Sequence, residues 1–320
     1  MKIFANLADY LIYNLLGVDP QTHLGEALHF FVEDVAKIFF LLAAMSFVVS
    51  FFRSKLNPEK VRSYLEGKPK WLSYFLAVLL GAITPFCSCS SIPLFIGFIE
   101  AGIPFGVTMA FLITSPMINE IAIVIFASAV GAKLAFVYVL TGMTIGFLGG
   151  LFMEKMGLEK YVEKYVYDIR MGKGKIKEVL ISSFKQRLKY AFDYTLEIIQ
   201  KVWIYILVGI GIGAFLHGYV PQEFFAKYTG PDNFFAVPLA VLIGIPLYSN
   251  ATGVIPIAEA LLGKGVPIGT VLAMMMSVVA ISLPELIILR KVLQVRLLFY
   301  FTGFLFVAFV AVGYLYNFIF

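Results

Sequence analysis

The sequence predicts an all-α integral membrane protein built as an inverted-topology repeat. Each half has three transmembrane helices plus a broken, re-entrant helical hairpin. Three observations predict this. Hydrophobic residues make up 60% of the 320 residues and charged ones only 14%, and a mean hydropathy of +0.90 excludes an ordinary soluble domain. Lysine and arginine are gathered into a few loops. Glycines, prolines and glutamates recur at a nearly constant spacing in the two halves.

The first stretch, MKIFANLADYLIYNLLGVDP, carries Asn6, Asp9 and Asn14 where a signal peptide would be apolar, and no small-residue cleavage site follows. It therefore reads as retained. Phe4, Leu7, Leu11 and Leu15 recur at helical spacing, which predicts an amphipathic interfacial helix within residues 1–27.

Apolar spans of membrane length follow near 28–52, 104–129, 134–152, 195–217, 267–289 and 297–319. Two shorter, interrupted segments, 71–103 and 233–265, lie between them. Loop 53–70 holds Arg53, Lys55, Lys60, Arg62, Lys68 and Lys70 against Glu59 and Glu66, and 153–194 holds ten basic residues against six acids. The positive-inside rule puts both loops in the cytoplasm of a multi-pass protein of the cell (inner) membrane. That reading is simpler than an RNA-binding strip, so no nucleic-acid partner is expected. Spans 104–129 and 134–152 already supply the even number of crossings between the two loops. Segment 71–103 must then enter and leave on the cytoplasmic side, segment 233–265 on the outer side, and both termini lie outside.

Glu33 and Lys37 match Glu197 and Lys201 at an offset of 164, while Glu120 matches Glu285 at 165. Gly81, Pro93, Gly102, Pro104 and Gly106 match Gly244, Pro256, Gly265, Pro267 and Gly269 at 163. Three crossings per half is an odd number, so the second copy is inverted, which is transporter architecture. The organisation is thus 1–27 interfacial helix, 28–152 first repeat, 153–194 cytoplasmic connecting helices and 195–320 second repeat. The connection is charged, with aromatics at helical intervals and a break at Gly172 to Gly174, so it reads as two amphipathic helices. No phosphate-binding glycine loop occurs, MGKGK at 171–175 lacking the spacing and the hydroxyl residue. An ion gradient or the solute's own gradient must supply the energy, unless a separate ATPase subunit does. No cofactor motif and no enzymatic domain are present. The partners expected are a small-molecule substrate, the lipid bilayer and a coupled proton. A homo-oligomer is left open.

The interruption TPFCSCSSIP (84–93) holds both cysteines of the chain, Cys87 and Cys89. Irregular backbone at membrane depth survives only where protein buries it or water reaches it. Thr84, Ser88, Ser90 and Ser91 would be costly in lipid, so this segment is a candidate solute path. Buried cysteines are usually inert core, and two of them make neither a disulfide framework nor a closed zinc site. Thiolates are soft ligands and select soft ions. At i and i+2 they share a side only if the backbone is extended at Ser88, since on a helix they diverge by roughly 200°.

Ser115, beside Thr114 and Pro116, lies mid-span, with Asn119 and Glu120 one turn on. Glu120 would stand about 24 Å along a continuous helix from Pro104. The second half offers Ser249, Asn250 and Thr252 in its interruption, then Ser277, Ser282, Pro284 and Glu285. A charge at mid-bilayer costs about 2.5–3.5 kcal/mol on insertion scales, which makes Glu120 and Glu285 candidates for ion coupling. The alternative is a snorkelled or helix-capping carboxylate, favoured for Glu285 by Arg290 and Lys291 nearby. Glu33–Lys37 and Glu197–Lys201 read as self-neutralising i,i+4 pairs. Glu100 and Glu259 fall toward the hairpin ends, and His217 reads as a boundary residue.

TPFCSCSSIPLFIGFIEAGIPFGVTMAFLITSPMINE resembles the signature of the ArsP-type predicted permeases, a family that includes organoarsenical exporters and uncharacterised relatives. The resemblance covers about 28–319. It implies a polytopic permease, with export of trivalent arsenicals in some members. Carried over, Cys87 and Cys89 become thiol ligands, and Asn119 and Glu120 part of a polar gate. No third cysteine completes a three-thiolate site, so an arsenical with one organic arm fits better than inorganic arsenite. The alternatives are a permease for another small anion or metabolite with non-liganding cysteines, an intramembrane thiol oxidoreductase, or a passive channel.

Overall fold

The computed structural model describes residues 2–20, 22–53, 69–84, 88–100, 102–118, 123, 131–164, 166, 184–219, 233–246, 258 and 261–319. The described residues are helical apart from turns and one isolated bridge between Val162 and Leu293. In order, α1 is Lys2–Asp9, continued by a wider π-helical stretch Tyr10–Leu15. Next come α2 (His23–Arg53), α3 (Lys70–Ile83), α4 (Ser88–Glu100), α5 (Phe105–Met117) and α6 (Ala132–Lys155). After them come α7 (Phe184–Tyr219), α8 (Ala236–Gly244), α9 (Ile268–Ala280), α10 (Leu283–Leu289) and α11 (Val295–Ile319). Among the described residues three stretches are both long and apolar enough to cross a membrane: Ala135–Lys155, Ile268–Leu289 and Val295–Ile319. The helices α2 and α7 run 31 and 36 residues, which also exceeds the length a bilayer needs.

The chain divides into two compact units. One contains Met1–Phe40, Trp203–Ile288 and Gly303–Phe320, and the other Leu41–Val202 and Leu289–Thr302. Each is centred on a helix apolar on every side, which only a buried position can accommodate. In the second unit it is α5, all thirteen of whose residues are buried, enclosed by α3, α4 and α6. In the first unit it is α9, buried at eleven of thirteen positions and packed against α8. The outer helices are two-sided. Along α11, Leu297, Phe301, Leu305 and Phe309 are buried, whereas Val295, Phe299, Val307 and Leu315 are exposed. That fourfold spacing is an apolar stripe of the kind lipid covers.

The entry to each buried helix is built alike. Gly102 and Gly265 both have φ +79°, a backbone region that favours glycine. Ile103 N–H donates to Phe98 O at 3.0 Å and Val266 N–H to Leu261 O at 3.1 Å, closing a glycine-terminated turn on the preceding helix. Pro104 and Pro267 then stand at the N-caps in extended conformation.

Several expectations are corrected. Span 104–129 is not one helix: α5 stops at Met117, and Ile118 is extended at φ −104°, ψ 94°. Pro116 removes one backbone donor and crowds the preceding turn, so the helix ends just beyond it. Thirteen residues rise only about 20 Å, and a height for Glu120 along a continuous helix therefore does not hold. Span 267–289 also breaks, at Ile281 and Ser282, between α9 and α10. The helix α7 also covers the last part of the expected connection, from Phe184, before the span expected from 195. The start of that connection is a 3-10 turn, Leu158–Tyr161. It is tied to the loop before α11, with Glu163 N–H donating to Val292 O (2.8 Å) and Gln294 N–H to Tyr161 O (2.8 Å).

Candidate functional site

In the second unit the candidate residues gather around the end of α5. The Ser91 hydroxyl donates to Ser115 Oγ at 3.1 Å, joining α4 to α5. Both serines are buried, and buried hydroxyls need such partners. Thr114 turns its hydroxyl back onto Ala110 O at 2.8 Å. Two glycines let neighbouring helices close on it. A Cβ built at Gly81 of α3 would lie 3.1 Å from Thr114 Cβ and 3.2 Å from Ser115 N, and one at Gly146 of α6 would collide with Thr114 Oγ1. Tyr138 donates to Met117 O at 2.6 Å, satisfying one carbonyl that the helix end leaves open. Thr84, just past α3, binds back to Leu80 O at 2.6 Å.

In the first unit, Ser277 of α9 donates to Val241 O of α8 at 2.7 Å. Gly244 makes room for it, since an added Cβ would lie 2.9 Å from Ser277 Cβ. The two helix interruptions of this unit satisfy each other: Leu283 N–H donates to Ile245 O at 2.7 Å. Irregular backbone at membrane depth requires such pairing. Ser282 and Glu285, beside the interruption, are buried at 1% and 2% exposure.

Other predicted residues are placed less fully. The helix α4 begins at Ser88, so Ser88, Cys89 and Ser90 belong to its first turn, but their side chains lie outside what is described. So do Cys87, Asn119, Glu120, Ser249, Asn250 and Thr252 entirely, along with most of loop 53–70 and residues 167–183. The condition that Ser88 be extended is not met, because it is the first helical residue.

Two charge pairings differ from those expected. Lys37 Nζ lies 3.9 Å from Asp34, not paired with Glu33, and Glu33 instead approaches His29 Nδ1 at 4.0 Å. Glu285 is 2% exposed, and the Arg290 guanidinium binds Glu163 at 2.7 Å. Sequence reading also passed over two sites. Tyr74 of α3 donates to the Glu154 carboxylate of α6, against Gly106 of α5, where an added Cβ would strike both. In the first unit the corresponding place, against Gly269 of α9, is held by Asn317. Its Oδ1 accepts from Gly269 N–H at 2.8 Å and its Nδ2 donates to Thr270 Oγ1 at 3.1 Å. Acid and amide share no sequence pattern, but Gly106 and Gly269, already matched, mark the spot. Asp34 could have been noticed as a second acid beside Glu33. Among the described residues no group of three or more histidines, cysteines or acids is disposed to hold a metal ion.

The family model described as "Predicted permease", ArsP_1, matches residues 23–318. The UPF0718 protein MJ0584 of Methanocaldococcus jannaschii is 22% identical over 294 residues, covering 75% of this chain and 80% of its own length. A Streptococcus mutans serotype c protein named "Putative two-component membrane permease complex subunit" is 24% identical over 216 residues, covering 65% of this chain and 67% of its own. No solved structure matches. With apolar helices of membrane length, two buried polar helix interruptions and a family match over nearly its whole length, the chain belongs to the ArsP_1 family of predicted permeases and is a multi-pass membrane permease.

Proposed function

We propose that the chain is a secondary permease made of two inverted copies of one repeat, and that it exports a small thiophilic solute such as a trivalent organoarsenical. One observation carries the repeat: contacts and helix bounds recur 163 residues apart along the chain. Phe105–Met117 corresponds to Ile268–Ala280, and Ala132 to Val295 as the start of the next long helix. Gly81 against Thr114 corresponds to Gly244 against Ser277, and Gly150 against Gly106 and Ala110 to Gly313 against Gly269 and Ala273. Two copies that each end a buried helix in a polar interruption supply paired half-sites, as alternating-access permeases use.

The solute path would run past Thr84, Ser88, Ser90, Ser91, Ser115, Asn119 and Glu120 in one copy and Ser249, Asn250 and Thr252 in the other. Cys87 and Cys89 would be its soft ligands in a state whose backbone is extended at Ser88, and Glu120 and Glu285 its coupling acids. The name of the streptococcal relative adds a second subunit as an alternative to a homo-oligomer.

A second reading is favoured by the helical start at Ser88. Were the backbone helical through this stretch, positions 87 and 89 would diverge by roughly 200°, and hydroxyls rather than two converging thiols would meet the solute. The solute is then another small anion or metabolite. Cys87→Ser and Cys89→Ser separate the readings, because serine keeps the shape but is a hard ligand. Export of methylarsonous acid from everted vesicles is expected to fall at least about tenfold in either variant, with unchanged amounts of folded protein. Full export by the double variant would leave the hydroxyl reading standing.

The topology makes its own prediction. A cysteine introduced at Arg62 or Lys175, in a background with Cys87 and Cys89 replaced by serine, is expected to resist impermeant maleimide in intact cells and to react after lysis. Labelling from outside at either position would reverse the proposed orientation.

A further inference from the structure

The long helix α2 carries ionisable groups that the solute path does not use. Asp9 Oδ1 lies 3.0 Å from His29 Nε2, and the Tyr13 ring stacks on the imidazole at 5.2 Å and 5°. One turn on, Glu33 approaches the other imidazole nitrogen at 4.0 Å. A further turn on stands Lys37, 3.9 Å from Asp34. The Asp9 side chain is 52% exposed, His29 20% and Glu33 29%, against 13% for Lys37 and 4% for Asp34, so the file runs from an exposed end to a buried one. His23 and Glu26 are the remaining ionisable groups at this end of α2. Burial pushes the Tyr13 phenol up, and the Asp9 and Glu26 carboxylates push it further, so both acids lie within electrostatic reach of the ring.

A pair at i and i+3 on one helix contributes little to stability by itself. Ionisable side chains this little exposed inside a helix of membrane length are by default functional.

We propose that Asp34 and Lys37 form a proton-binding site of the permease, reached from the membrane surface through Asp9, His29 and Glu33. The step is a single proton transfer: water at the Asp9 end supplies the proton, which ends on an Asp34 carboxylate oxygen. The result is a neutral acid beside the Lys37 ammonium, and release returns the proton to water. Coupling this step to solute movement rests on the permease reading above. The binding site itself does not.

The test uses the full chain in phosphatidylcholine liposomes and dicyclohexylcarbodiimide, which modifies protonated carboxyls in apolar surroundings. Mass spectrometry is expected to find the adduct on Asp34, in at least about fivefold higher yield at about pH 5.5 than at about pH 8.5. Lys37→Met is expected to remove most of that difference by labelling at the higher pH too, and Asp34→Asn to carry no adduct at this position. Should Asp34→Asn fail to fold, the wild type and Lys37→Met still decide the matter. No adduct on Asp34 at either pH, or one indifferent to pH in the wild type, overturns the site. In the same liposomes an imposed proton gradient is expected to speed methylarsonous acid flux in the wild type but not in Asp34→Asn. A wild type that carries solute but ignores the gradient overturns the coupling. A wild type that carries no arsenical overturns the solute reading instead, while the labelling still decides the proton site.

Discussion

Replacing Gly313 by leucine is expected to prevent accumulation of folded protein, while the same replacement at Gly303, ten residues earlier on the same helix, leaves it intact. A Cβ at Gly313 would collide with Val237 Cγ1 of α8 and stand 3.0 Å from Ala273 Cβ and 3.1 Å from Gly269 O of α9. Two of these neighbours belong to a buried helix with no room to withdraw. Overpacking at ordinary core positions costs about 1–3 kcal/mol, and a side chain wedged between two helix backbones should exceed that range. Gly303 meets nothing within 4 Å and is exposed on the lipid-type stripe. Leucine there also gains roughly 0.8 kcal/mol in helix propensity over glycine. Size-exclusion profiles and thermal unfolding in detergent make the comparison. Equal behaviour of the two variants would mean that α11 does not lie against α9 as described.

Glu285→Gln is expected to lower gradient-driven solute flux at least about tenfold without loss of folded protein. Glu285 is 2% exposed at the start of α10, directly after the interruption whose Leu283 N–H is bound to Ile245 O. An ionised carboxylate there carries a desolvation cost of several kcal/mol. Glutamine keeps its shape and hydrogen-bonding capacity but cannot exchange a proton. If the acid serves only the fold, the amide should leave flux unaltered and stability unchanged or improved. If it takes part in coupling, flux should lose its response to the gradient while downhill exchange of solute continues. A variant with full gradient response would remove Glu285 from the coupling machinery.

Much of the architecture was legible in the sequence because its causes are local. Composition and apolar run length predict membrane helices, and the matched Gly102 and Gly265 both take a positive φ, with a proline two residues on, because those residue types suit such a turn. The spacing of 163 between glycines predicted which places would correspond. It survives in the contacts of Gly81 and Gly244, where small size has one evident use.

What the tertiary structure alone decided concerns partners. Whether Lys37 turns to Glu33 or to Asp34 depends on what else each acid can reach, and His29, held by Asp9 from the N-terminal helix, draws Glu33 away. An apolar run cannot reveal where a buried helix stops. The second span ends at Met117 and the fifth breaks at Ile281 because neighbouring groups, Tyr138 in one unit and Ile245 in the other, take up the backbone atoms released. The pairing of Ser91 with Ser115 and the burial of Glu285 likewise follow from helix packing, which no local pattern shows. Periodicity assigns a residue to a face, but only packing determines what that face meets.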